Sequence, residues 1–193
     1  MQFVNSKLQR ELKAPVFSVK DIFDRQINLE TYRDKKILIG FFRHAGCPFC
    51  NIRVHKLLKV YNELHPKGLE MIFFFESTEK VLLQSSFHQE VSPIPLIADP
   101  EKKWYASYGL EESLYKSTMS HIATFAQTAF EAVSKGLPTH MMASGESFST
   151  MPAEFLIAED LTIKEVYYSE RLTDRLDVRK IKEFVEAEQL AYQ

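Results

Sequence analysis

Lys36-Ile37-Leu38-Ile39-Gly40-Phe41-Phe42-Arg43-His44-Ala45-Gly46-Cys47-Pro48-Phe49-Cys50 is the stretch whose reading decides the fold. Its first half, Lys36 to Phe42, is a continuous apolar run rich in β-branched and aromatic residues, the pattern of a strand buried on both faces. Its second half leads into a helix. Pro48 stands where a first-turn proline is welcome, because the N–H it lacks has no partner there. Ile52, Leu57, Leu58, Tyr61 and Leu64 then follow at helical spacing as far as His65-Pro66. Between strand and helix sit Cys47 and Cys50, the chain's 2 cysteines. Three residues apart at a helix mouth, they can close a small disulfide with little backbone movement. The free N–H groups and the dipole of the first turn favour the thiolate. A thiol of pKa ~8.5 falls to between ~3.5 and ~7.5 in such a place, so the pattern is that of a redox site. Pro48 belongs to the same motif. Arg53, one turn past Cys50, and Arg43 and His44, just before the motif, are candidate sources of positive potential.

The 193 residues suffice for one domain with a sizeable core, and 1–193 reads as a single domain carrying a helical insertion at about 111–150. With 24 basic and 26 acidic side chains the formal charge is −2, which gives no reason to expect nucleic acid or an anionic membrane as partner. No apolar stretch approaches the ~18–20 residues of a membrane span. Met1 to Lys13 is mixed polar and charged, unlike a secretory signal, and two close cysteines do not make a secreted disulfide framework. A cytoplasmic protein is expected.

Further strands and helices follow from the pattern. Lys7 to Lys13 reads as a short polar helix ended by Pro15. Val16, Phe17 and Val19, then Ile27 and Leu29, read as short strands turned by Asp21 and Asp24. Leu69 to Phe75 is a second buried strand, Ser77 and Thr78 can cap a helix running to about His88, and Pro95 to Ala98 is a third strand. A short helix through Trp104 and Tyr105 stops near Gly109. Glu111 to Lys135 is helical throughout, and its Leu114, Met119, Ile122, Phe125, Ala126, Ala129, Phe130 and Val133 are expected to pack in the core or against a second copy in a homodimer. An irregular loop, Thr139 to Thr150, leads to a hairpin of Ala153–Ala158 with Ile163–Ser169. A helix from Val178 to about Leu190 closes the chain. Parallel βαβ units followed by a hairpin and a helix predict an α/β fold with helices on both faces of a mixed sheet.

Two other readings of the dithiol compete. Half a zinc site would need two more ligands from His44, His55, His65, His88, His121 and His140, none of which forms an H-x₃₋₅-H pair. Cys47 and Cys50 could also be inert core residues. No metal and no cofactor are expected. Met151-Pro152, ahead of the apolar strand Phe155-Leu156-Ile157, is a second element of interest, since a proline heading a strand is tolerated on steric grounds alone.

The chain resembles the peroxiredoxin-like branch of the alkyl hydroperoxide reductase and thiol-specific antioxidant (AhpC/TSA) superfamily, over about Ala14 to Leu190. The resemblance is carried by Ala14-Pro15-Val16-Phe17 with Leu29, by Arg43-His44-Ala45-Gly46-Cys47-Pro48-Phe49-Cys50, by Pro95-Leu96-Ile97-Ala98-Asp99-Pro100 with Tyr105 to Leu110, and by Met151 to Ile157. It implies a thioredoxin-like fold with the helical insertion placed before the Met151-Pro152 strand. It also implies a cis Met151–Pro152 bond packed against the dithiol. Cys50 matches the family's peroxidatic cysteine, while Cys47 stands where a Thr or Ser is usual. Cys47 also matches the attacking cysteine of thioredoxin and Cys50 its resolving partner. The resemblance therefore implies a thiol–disulfide oxidoreductase cycling Cys47 and Cys50, supported by Pro48, Pro152, Met151, Arg53 and His44. Thioredoxin or glutathione would be its reductant. The alternatives are a peroxidase in which Cys50 attacks hydroperoxide and Cys47 resolves, and a redox sensor or binding module without catalysis.

Overall fold

A computed structural model describes residues 6–139 and 146–187 of the chain. β1 (Ser18–Lys20) and β2 (Gln26–Asn28) form an antiparallel hairpin. Its turn is closed by Asp21, whose carboxylate accepts the N–H groups of Phe23 at 3.0 Å and Arg25 at 2.9 Å. β3 (Lys36–Phe41) follows, then α1 (Pro48–Leu64) and β4 (Leu69–Phe75). Two short helices, α2 (Glu79–Leu83) and α3 (Ser86–Gln89), stand where the sequence predicts one helix to about His88. β5 (Leu96–Ala98), α4 (Lys103–Ser107), α5 (Leu114–Ser134), the hairpin β6 (Ala153–Ile157) and β7 (Ile163–Tyr168), and α6 (Val178–Glu186) complete the order. Part of the expected 139–150 loop and the expected end of the last helix lie outside the described residues.

The main sheet has the order β5-β4-β3-β6-β7, with β3, β4 and β5 parallel and β6 and β7 antiparallel to their neighbours. β3 is central, and every one of its residues is buried. Alternation sorts its side chains between two cores. Ile37, Ile39 and Phe41 join Phe74, Phe155 and Tyr108 on one face, and Leu38 joins Phe73, Leu57 and both cysteines on the other. Burial on both faces is why the sequence runs apolar without a polar break. Gly40 lies on the cysteine side, where a Cβ would stand 2.9 Å from the Phe42 ring, so the ring folds back over the strand only because the position is glycine.

Two expectations are overturned. Lys7 to Lys13 is not helical: Glu11 N–H donates to the Ile163 carbonyl and Ile163 N–H to that of Leu12, and Lys13 bridges Thr162. The segment satisfies its backbone along the β6–β7 hairpin instead of within itself. The Met151–Pro152 bond is trans, and Ser92–Pro93 is the one cis bond among the described residues. Met151 N–H donates to the Glu111 carbonyl and the Pro152 carbonyl accepts from Ser169, so the chain already runs extended into β6 and a trans bond continues that line. Of the α5 residues expected to pack in the core or against a second copy, Leu114, Met119, Phe130 and Val133 are exposed on this chain, as is Tyr115, so its own core does not take them. Ser117 and Ala132 of α5 are buried, and the helix packs against α1.

α1 is pinned to the sheet by a buried ion pair. Glu154 of β6 points to the α1 face, where its carboxylate accepts Arg53 Nε at 2.8 Å and Nη2 at 2.6 Å, with Leu176 N–H at 3.2 Å. Arg53 Nη2 also donates to the Leu176 carbonyl at 2.8 Å, so helix, strand and the approach to α6 are joined at one point. Both side chains are 5% exposed or less. Glu154→Ala would leave a buried guanidinium unpaired, and a loss of about 3–5 kcal/mol in urea unfolding is expected. Arg53→Met combined with Glu154→Leu should recover much of that loss. A single-variant loss below about 1 kcal/mol would contradict a buried pair.

Candidate active site

Cys47 caps α1 in an extended backbone conformation, and its carbonyl accepts the N–H groups of Cys50 at 3.1 Å and Asn51 at 3.0 Å. Pro48 opens the helix, as its sequence position predicts. The turn before it is held from two sides. Ser77 Oγ accepts Ala45 N–H at 2.7 Å, and the buried Asn51 amide donates to the Ala45 carbonyl at 2.7 Å and to that of Pro138 at 2.8 Å. The last of these ties the dithiol turn to the chain leaving α5. Both cysteines are free thiols with no exposed surface.

Arg43, also fully buried, reaches both sulfurs. Its Nη1 lies 3.7 Å from Cys47 Sγ and its backbone N–H 3.4 Å from Cys50 Sγ. Nη2 donates to the Phe148 carbonyl at 2.8 Å, and the guanidinium lies over the Phe148 ring, 5.4 Å from its centroid. Phe148 is itself held by Ser117 Oγ, which donates to the same carbonyl at 2.5 Å. Glu76, fully buried at the end of β4, fastens the rest of that segment by accepting Ser147 N–H at 3.1 Å and Thr150 Oγ1 at 2.7 Å. Burial raises the Glu76 pKa, against these hydrogen bonds and the charges of Lys102 and Arg43.

The two sulfurs are driven apart electrostatically. Burial pushes the Cys47 thiol up. Hydrogen bonds from the Cys50 thiol and backbone N–H, with the charges of Arg43 and Arg175, more than offset this and bring it down to about 6. Burial raises Cys50, and the hydrogen bond and charge of Cys47 raise it further. The arrangement can thus hold one thiolate beside one protonated thiol at neutral pH.

The other predicted residues are distributed unevenly. Met151 is buried in the same apolar cluster as Cys47 and Cys50, and Pro152 is buried at the head of β6. His44 is buried before the motif, with Nδ1 3.7 Å from Glu146, whose carboxylate also accepts from Ser77 Oγ. Arg53 is engaged by Glu154 and Leu176. Arg43, which the sequence offers only as one of three cations, is the one that touches the sulfurs. A signal was available: Arg43 and Glu76 each follow an unbroken buried run directly, and a charge carried inward by a strand must be compensated. Arg175, far along the chain, left no such trace. Among the described residues, no group of three His, Cys, Asp or Glu side chains is placed to hold a metal ion. No helix among them is long and apolar enough to cross a membrane.

Comparison with known proteins places this geometry in a family. The AhpC/TSA family profile matches residues 11–166. A Mycobacterium tuberculosis protein with a provisional peroxiredoxin name is 21% identical over 112 residues, 57% of this chain and 71% of that protein. In structure, the chain is similar to a thiol peroxidase from Chromobacterium violaceum, with a TM-score of 0.66 at 14% identity over 97% of this chain and 90% of that one. It is likewise similar to a Bacteroides thetaiotaomicron protein solved under a provisional disulfide-isomerase name, with a TM-score of 0.61 at 16% identity over 96% and 95%. At these identities the likeness concerns the fold, which is the thioredoxin fold expected from the sequence. The chain belongs to the AhpC/TSA family and is a thiol-dependent redox enzyme.

Proposed function

We propose that the chain is a thiol–disulfide oxidoreductase, built as one thioredoxin-like domain, in which Cys47 attacks and Cys50 resolves. The observation that carries this reading is the asymmetry of the pair: Arg43 Nη1 lies against Cys47 Sγ at 3.7 Å, and the Cys50 thiol donates to the same sulfur. The Cys47 thiolate attacks a substrate disulfide to form a mixed disulfide and releases one thiolate. Cys50 then gives up its proton and attacks the Cys47 sulfur, closing the Cys47–Cys50 disulfide and releasing the second. An external thiol, thioredoxin or glutathione, returns the pair to the dithiol.

A second reading has family membership in its favour. In it Cys50 attacks a hydroperoxide, becomes a sulfenic acid and is condensed by Cys47. The Arg43 N–H at Cys50 Sγ could assist such an attack, whereas burial and the neighbouring Cys47 work against a Cys50 thiolate.

Two measurements test the assignment. Ultraviolet thiolate absorbance of the reduced protein should titrate with a midpoint at about pH 6, lost in Cys47→Ser. Protonation below that midpoint removes the nucleophile, so exchange should speed up as pH rises through it and level off above. Arg43→Met should move the midpoint up towards the ~8.5 of a free thiol. A midpoint that stays put in Arg43→Met, or that persists in Cys47→Ser, contradicts the role given to Cys47. In stopped-flow mixing, Cys50→Ser should trap a mixed disulfide and Cys47→Ser should exchange at least about a hundredfold more slowly. Rapid peroxide consumption that survives only in Cys47→Ser would favour the peroxidase.

A further inference from the structure

Tyr105 lies in one of the stretches that carry the family resemblance, and neither reading of the dithiol gives it a role. α4 delivers it. The Asp99 carboxylate accepts the N–H groups of Lys103 at 3.1 Å and Trp104 at 2.8 Å, which fixes where this short helix starts. From there the Tyr105 ring packs edge-on to Phe41, with 5.1 Å between centroids, in the core on the face of the sheet opposite the cysteines. Its hydroxyl donates to the Phe42 carbonyl, just past the last residue of β3. Tyr105 is 3% exposed, so water competes little for this bond.

The other end of that peptide faces the dithiol. The Arg43 N–H belongs to the same amide as the Phe42 carbonyl, and it points at Cys50 Sγ at 3.4 Å. The Tyr105 hydroxyl, the Phe42 carbonyl, the Arg43 N–H and Cys50 Sγ therefore form one hydrogen-bonded chain across the end of β3. A donor at the carbonyl polarises the amide, makes its N–H a stronger donor and holds the peptide plane in place. We infer that Tyr105 is a positioning residue for the second half of the exchange: through the Phe42–Arg43 peptide it strengthens and aims the N–H that stabilises negative charge on Cys50. This rests on the exchange reading above. In resolution Cys50 Sγ bonds to Cys47 Sγ, and the substrate thiolate leaves with the electron pair of the broken S–S bond and takes up the proton that Cys50 gave up. In reduction Cys50 is itself the leaving thiolate. Charge stands on Cys50 in both directions, whereas the resting thiol holds its proton. Burial, with the charges of Glu76, Asp99 and Cys50, raises the Tyr105 pKa well above that of an ordinary tyrosine, so the hydroxyl remains a donor at working pH.

The test is Tyr105→Phe in the full chain, which removes one oxygen and keeps the ring. In a Cys47→Ser background, NMR of Cβ-labelled cysteine reads the titration midpoint of Cys50, with the charges of Arg43 and Arg175 common to both proteins. Tyr105→Phe should raise that midpoint by about 0.5 pH unit and move the Arg43 amide proton upfield. With Cys47 present, release of glutathione from its mixed disulfide with Cys47 should slow roughly two- to fivefold, while the Cys47 midpoint stays at about 6. Tyr108→Phe is the control for a merely structural loss. It removes a hydroxyl that donates to the Pro15 carbonyl at 2.9 Å, and it should change neither the Cys50 midpoint nor the release rate. A Cys50 midpoint unmoved by Tyr105→Phe, or moved as far by Tyr108→Phe, overturns the inference. If the mixed disulfide is not resolved even with Tyr105 in place, the exchange reading fails, and the Cys50 midpoint in Cys47→Ser still supports or overturns the link from Tyr105 to that sulfur.

Discussion

A thiolate shut away from water must be compensated from inside the protein, and Arg43 provides that compensation. Cys47 has no exposed surface, and burial alone would keep its proton on. One guanidinium beside Cys47 and one thiol donating to it reverse the sign. The arginine is in turn buried, so its own donors need acceptors. The Phe148 carbonyl supplies one, and Ser117 and Glu76 hold the Phe148 segment in place. The difference between two neighbouring sulfurs thus depends on hydrogen bonds that reach α5 and the end of β4.

The frame that holds this network is the central strand and the helix it feeds. β3 is buried on both sides, so it cannot shift register without moving an entire set of side chains between cores. α1 starts where β3 delivers it, and the Arg53–Glu154 pair prevents it from sliding along β6. Such a pair adds little net stability compared with well-packed apolar residues, but breaking one half is expensive. Its value here is position, because the cysteines ride on the first turn of the same helix.

The sheet was largely legible in the sequence. Strands buried on both faces give uninterrupted apolar runs, and β3, β4 and β6 appear where those runs fall. Mistakes arose where local pattern and tertiary context disagree. The polar Lys7–Lys13 segment could be a helix in isolation, but a neighbouring strand edge offers its backbone better partners. The apolar residues of α5 are expected in the core or against a second copy, and this chain's own core takes Ala132 while leaving Met119, Phe130 and Val133 outside. Nothing in a one-dimensional pattern says which stripe of a broadly apolar helix will be covered.

The site divides in the same way. Sequence by itself determined that two cysteines would stand at the mouth of a helix behind a buried strand, because a strand-to-helix junction with a first-turn proline is a local matter. It also supplied three cations near the motif without ranking them. Only the tertiary structure decided that Arg43 turns inward to the sulfurs while Arg53 turns to Glu154, and that Arg175 arrives from the far end of the sheet. The physical reason is one of range. Helix starts and strand periods are set by residues a few positions apart. The potential at a buried sulfur is set by whatever charges the fold brings within several ångströms, and those come from anywhere in the chain.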